Sequence, residues 1–427
     1  MTQAGTQPLR FRPLAPRSLY EAGLTEGEVE ALILKYLLGA PGSTGRNISR
    51  DIGLPDATIR ELLEGLRGQQ MVIHTRASTF GDFGYDLSEG GRGKARDLQL
   101  SNRYAGHAPV SMEQYVESVR HQSVSLEKPK IDALRAAFSD LLVGDELLQR
   151  LGPAVTAGRG CFFFGPPGNG KTSLAERMTR AYGTPVYLPY AIKFGGQVIK
   201  IYDPALHVAA DKRVTRMAAG EDKMDLRWVL CERPTIAVGG ELTLDQLEIS
   251  YDEYSGVCEA PVQMKANGGT LLVDDFGRQS MTPTQLLNRW IVPMEKRVDY
   301  LTVPGGRKLE VPFDPLLVFS TNLDPRSLVD DAFLRRIPYK IQISDPDIAS
   351  FRELFSRMST TLSVELDDGV FEHVLERHFI SSERPMRNCY PRDLLLQVKH
   401  LCDFRELPPR ATSELIDEAV DLYFSVV

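Results

Sequence analysis

The chain has 427 residues, 42% of them apolar and 25% charged, and a net charge of −7. That length suggests about three domains with room for real cores, the composition excludes a disordered chain, and the acidic balance gives no electrostatic reason for strong non-specific nucleic-acid binding. Five scattered cysteines without a CxxC pair read as reduced thiols of a cytoplasmic protein, and the lack of any long apolar run predicts neither a secretory signal nor membrane insertion.

Residues 1–22 are Pro-rich and polar and read as a flexible tail. From Leu24 the apolar residues Val29, Leu32, Ile33, Tyr36 and Leu37 recur at helical spacing and stop at Gly39. A short segment at 48–52 follows, then a third helix opened by Pro55 and Asp56, then the strand-like pieces MVIHT and FGYDLS. Three helices and a hairpin over residues 23–105 look like a winged helix. Its third helix carries Arg60 and Arg67, a candidate DNA reader, but residues 24–105 hold ten Lys/Arg against eleven Asp/Glu. A DNA reader usually shows a basic face, so protein contact is the favoured reading and DNA the lesser one.

Residues 106–130 read as a connector with a short helix, and an amphipathic stretch at 131–151 leads into CFFFGPPGNGKT. From there strands and helices alternate to about residue 345, which predicts a mainly parallel sheet covered on both faces. Residues 346–427 hold helical patterns and little strand signal. His373 and His378 stand five apart in HVLERH, a spacing that separates them around an α-helix. They read as surface or packing histidines and not as metal ligands.

Gly165, Pro166, Pro167, Gly168, Asn169, Gly170, Lys171 and Thr172 fit G-x-x-x-x-G-K-[ST] between a buried-strand run and a helix, with Ser173 next in that helix. Glycines turn backbone N–H groups inward and the helix N-terminus favours anionic phosphate. Lys171 is placed to meet the β- and γ-phosphates of a nucleotide, and the Thr172 hydroxyl to ligate Mg2+. Downstream, LLVDD ends a strand in Asp274, suited to magnesium, and Asp275, suited to orient or deprotonate water. LLVFSTN ends another in Asn322, an amide able to fix that water. FLRR offers Arg335 and Arg336, either of which could stabilise transferring phosphate in a neighbouring subunit. In YPRDLLL, Arg392 occupies a helix first turn that its charge opposes, which calls for an anionic partner such as bound nucleotide.

In order, GPPGNGKT, LLVDD, FSTN, FLRR and YPRD resemble an AAA+ ATPase over about residues 110–427. The resemblance implies an α/β fold: a P-loop core with a parallel sheet at 131–345, a helical lid at 346–427, and the winged helix in front. It implies Walker A roles for Lys171 and Thr172, Walker B roles for Asp274 and Asp275, sensor roles for Asn322 and Arg392, and an arginine finger at Arg336, with Arg335 the alternative. A hairpin turning at Pro304-Gly305-Gly306 before the sensor strand is similar to the group that includes MoxR-like ATPases and RuvB. The order of winged helix then AAA+ resembles bacterial proteins described as ATPases with chaperone activity. ATP and Mg2+ are then the cofactors, a homo-oligomeric ring of six the assembly, and an unidentified protein complex the client. A DNA-binding motor and a slow nucleotide switch are the alternatives.

Three features depart from the family. Asp275 stands where glutamate is usual, one methylene and about 1 Å short of reach. Lys171 and Asp274 lie 103 positions apart, with a charged excess around residues 205–255, either a contact surface or pore element or a solvated insertion. No aromatic-hydrophobic-Gly pore loop occurs in the expected place, which argues against processive threading.

Overall fold

In the computed structural model, which describes residues 9–77, 83–211, 223–329 and 331–425, five parallel strands organise the centre of the chain. They are β1 (Cys161–Phe164), β2 (Thr235–Val238), β3 (Thr270–Val273), β4 (Leu316–Thr321) and β5 (Tyr339–Gln342). Their lateral order is β2-β3-β4-β1-β5, with every neighbouring pair parallel. All residues of β3 and β4 are buried, as a parallel sheet covered on both faces requires. Successive residues alternate between two cores. Cys161, Phe163, Leu272 and Val318 pack with Leu174, Ala175 and Met178 of helix α1 (Lys171–Arg180). Phe162, Leu271, Val273 and Phe319 pack with Leu286, Leu287 and Trp290 of helix α2 (Pro283–Lys296) on the other side. Helix α2 starts where the sequence allows: Thr282 and Gln285 form a capping box and Pro283 sits at the first helical position. Between α2 and β4 lies the antiparallel hairpin Val298–Thr302/Lys308–Pro312, turning through Gly305 and Gly306 at positive φ.

The long interval after α1 folds into a second layer. A five-stranded sheet runs laterally as Ser250–Asp252, Val257–Glu259, Gln197–Lys200, Ala191–Phe194 and Val110–Ser111. Of the described residues between 205 and 255, Ser250–Asp252 forms the exposed edge strand of this sheet, Trp228–Cys231 pairs with Val186–Pro189, and Thr235–Val238 is β2 of the central sheet; residues 212–222, in the charged middle of that interval, lie outside the described residues. The flexible-tail expectation fails from residue 9 onward. Leu9 and Phe11 join the core of this layer, the Phe11 ring lies 5.3 Å from that of Trp228, and Asp225 donates its backbone N–H to the Pro13 carbonyl.

Ahead of it, helices Glu26–Gly39, Gly45–Ile52 and Asp56–Gly68 accompany a three-stranded antiparallel sheet ordered Ser43–Thr44, Phe83–Leu87, Val72–Ala77, whose first strand lies between the first two helices. A further helix, Glu89–Ser101, closes this unit. Its core includes Ala191 and Val257 from the second layer, so the two share apolar packing. The Arg227 guanidinium is wholly buried between them, bonded to Asp225 at 2.7 Å and to the Ala22 carbonyl at 2.7 Å.

The C-terminal unit holds helices α3 (Ile348–Leu362), α4 (Tyr390–Phe404) and α5 (Ser413–Phe424) around a core drawn from residues 351–424 alone. Between α3 and α4, a turn of α-helix at Val370–His373 passes into a π-helix at Val374–Ile380. This corrects the expected separation of the two histidines around the helix. In a π-helix bonds run from i to i+5, so His373 and His378 face the same side, where both meet Asp417. Among the described residues, no helix is long and apolar enough to cross a membrane.

Candidate functional site

In open α/β sheets, ligands sit at the carboxyl ends of strands, and β3, β4 and β1 are consecutive neighbours here. The residues following them therefore line one edge. After β1 the chain turns through Gly165, Gly168 and Gly170 at φ of +136°, +81° and +78°, which L side chains rarely adopt. A Cβ on Gly165 would stand 2.2 Å from the Ile343 carbonyl oxygen, so the loop is pressed against the end of β5. Helix α1 begins immediately after at Lys171, pointing its free N–H groups into the loop.

Lys171 Nζ donates to the carbonyls of Gly165 and Pro166, both at 2.9 Å, and to Asn322 Oδ1 at 2.6 Å. Burial pulls its pKa down, while the charges of Asp274 and Asp275 work the other way. The Asn322 amide is bifunctional: its Nδ2 donates to Asp275 Oδ1 at 3.3 Å. Asp275 has a left-handed backbone, φ +47°, a conformation Asp tolerates better than most residues. Its carboxylate lies at the end of β4, 3.3 Å from the Asn322 amide nitrogen. Asp274, one residue earlier, accepts from the Thr172 hydroxyl at 2.6 Å and from the Asp275 N–H at 3.0 Å. Thr172 Oγ1 and Asp274 Oδ2 are paired hard oxygen donors facing the loop, the donor chemistry Mg2+ takes. Lys171, Thr172, Asp274, Asp275 and Asn322 thus form one connected cluster. Ser173 is half-buried in the first turn of α1.

The C-terminal unit closes over the loop by a route the sequence did not suggest. Asn169 donates through Nδ2 to Asp345 Oδ1 at 2.7 Å and accepts the Asn388 N–H at 3.0 Å. The Cys389 N–H donates to the Gly168 carbonyl at 2.9 Å, and Arg387 pairs with Asp345. Arg387 also bears electrostatically on Lys171. Asp345, Arg387, Asn388 and Cys389 were missed; the polar run RNC directly before YPRD was the available signal. Arg392 lies in the first turn of α4, its side chain 64% exposed and paired with Asp393 at 2.9 Å. Arg336 pairs with Glu295 of α2 at 2.5 Å, and Arg335 is exposed.

A family model described as a domain of unknown function (DUF8689) matches residues 347–422. No curated protein matches. Among solved structures, the chain is similar to the Thermotoga maritima RuvB Holliday junction branch migration motor, at 13% identity over 68% of this chain and 73% of that one, TM-score 0.40. It is also similar to NtrX from Brucella abortus in complex with ADP, at 15% identity over 66% of this chain and 55% of that one, TM-score 0.41.

Proposed function

We propose that the protein is a magnesium-dependent AAA+ ATPase acting as a homo-oligomeric ring of six subunits that remodels or assembles a protein complex. The observation that carries this reading is the hydrogen-bonded cluster joining Lys171, Asn322 and Asp275 beside the Thr172–Asp274 pair. Loop N–H groups and Lys171 receive the nucleotide phosphates; Lys171 exchanges its loop carbonyls for phosphate oxygens. Thr172 and Asp274 would hold Mg2+, which when bound neutralises charge on the phosphates. Asn322 and Asp275 orient water for attack on the γ-phosphorus; the bond to ADP breaks and Asp275 takes the proton. Arg336, or Arg335, serves the site of an adjoining subunit, and Arg392 leaves Asp393 for nucleotide.

Steady-state phosphate release from ATP, with Lys171→Ala and Asp275→Ala as comparisons, tests the reading. Hydrolysis by the wild type alone is expected; equal rates in all three would overturn it. For the N-terminal unit we favour a winged helix that binds protein. Arg67 of its third helix pairs with Glu64 at 2.6 Å and Arg60 with Asp56 at 2.7 Å, which spends basic charge within the helix. Duplex DNA binding at low salt that weakens steeply as salt rises would favour the DNA-motor alternative instead.

A further inference from the structure

We propose that the C-terminal unit carries a binding site for a divalent transition cation of the zinc class, held by His373, His378 and Asp417. The inference is independent of the nucleotide reading. Its first support is backbone geometry. Residues five apart on an α-helix are rotated by roughly 140°, yet here the chain adopts a seven-residue π-helix from Val374 to Ile380 directly after His373. Such segments are rare and concentrate where function requires them. This one has a visible consequence: it turns two imidazoles that an α-helix would separate toward one point.

Asp417, from the first half of α5, meets them there. Its Oδ1 lies 2.7 Å from His373 Nε2 and 2.5 Å from His378 Nε2, and the three ligand atoms all fall within 4.8 Å of one another. Tetrahedral zinc with bonds of about 2.0–2.1 Å sets its ligands about 3.3 Å apart, an adjustment of under about 1 Å for each nitrogen–oxygen pair. Two imidazole nitrogens and one carboxylate are the donor types zinc prefers, and three protein ligands with an open fourth position is a familiar arrangement. The cluster is open enough for water in that position: His373 and Asp417 are each 26% exposed and His378 11%.

The surroundings fix the carboxylate for single-oxygen binding. Arg377 Nη1 holds the other oxygen of Asp417 at 3.2 Å, so Oδ1 is the one presented to the imidazoles. Arg377 is 63% exposed, which screens its repulsion of a cation. Glu414, one turn earlier on α5, lies near enough for its charge to bear on Asp417 and adds negative potential. A bound cation would clamp α5 to the π-helix across the core the two elements share.

The test uses the full chain, stripped with EDTA, kept reduced, and titrated with zinc sulfate against a chromophoric chelator. One zinc per chain is expected, with affinity falling more than about tenfold in His373→Gln and in Asp417→Asn, both of which retain hydrogen-bonding side chains. Melting of the stripped variants near the stripped wild type establishes that the loss is one of ligands. Zinc X-ray absorption on the wild type needs no variant: a nitrogen- and oxygen-only shell with two imidazoles is expected. Absence of binding at tens of micromolar zinc, unchanged affinity in both variants, or sulfur in the zinc shell would each overturn the proposal.

Discussion

Asn322 performs two tasks with one amide, accepting from Lys171 and donating to Asp275. Asn322→Ala removes both bonds without touching the loop N–H groups. ATP affinity is therefore expected to stay within a few-fold while phosphate release falls about 10²-fold, the usual cost of a misplaced reacting group. Equilibrium binding of a fluorescent ATP analogue beside steady-state turnover separates the two effects. Lys171→Ala should lose binding as well as turnover. Losing charge-assisted bonds of about 1.5–3 kcal/mol weakens nucleotide binding by about 10–100-fold, read in the same binding assay. At Asp275, the shortness of the side chain was a fair concern from the sequence. What it could not convey was the left-handed φ of +47°, because backbone conformation at one non-glycine residue leaves no local signature.

Elements differ in how plainly they were written. β3 and β4 were legible because a strand buried on both faces needs an unbroken apolar run, and LLV and LLVF supply one before the polar end residues. The hairpin at 298–312 announced itself by its Pro-Gly-Gly turn. Helix Glu89–Ser101 did not: Gly90, Gly91 and Gly93 lower its local helical preference. The reason for Gly91 is tertiary, since a Cβ there would sit 2.0 Å from the Met71 carbonyl oxygen. The π-helix escaped because periodicity arguments assume 3.6 residues per turn. The contact between the loop and the C-terminal unit escaped because it joins residues far apart in sequence, and it yields a prediction. A Cβ on Gly168 would lie 2.6 Å from Cys389 Sγ, and its φ is +81°. Gly168→Ala should weaken nucleotide binding and lower the melting temperature, with about 1–2 kcal/mol from the backbone alone. Gly168→Ala/Cys389→Ala should recover the steric part of that loss and leave the backbone part, as calorimetric melting can measure.

For the whole molecule, Arg227 is a test of unity. Removing one partner from a fully buried ion pair costs about 3–5 kcal/mol, so Arg227→Ala should lower chemical-denaturation stability by that order, freeing Asp225 and the Ala22 carbonyl together. Assembly is tested by light scattering: ATP is expected to raise the particle mass. Mixing an Arg335→Ala/Arg336→Ala chain with a Lys171→Ala chain should restore some hydrolysis if the arginines act between subunits. Independent inactivity in the mixture would refute that role.

The way the three units are fastened implies which of them moves. The N-terminal unit shares apolar core with the β layer and is riveted to it by Arg227. The C-terminal unit keeps its core to itself and touches the phosphate loop through polar atoms, Asn388 meeting Asn169 and the Cys389 N–H meeting the Gly168 carbonyl. In mechanical terms, the first is bolted to the β layer and the second is held at the loop by hydrogen bonds. On the proposed ATPase reading, nucleotide at that loop would meet the polar contacts that hold the C-terminal unit, and so would bear on the unit fastened least firmly.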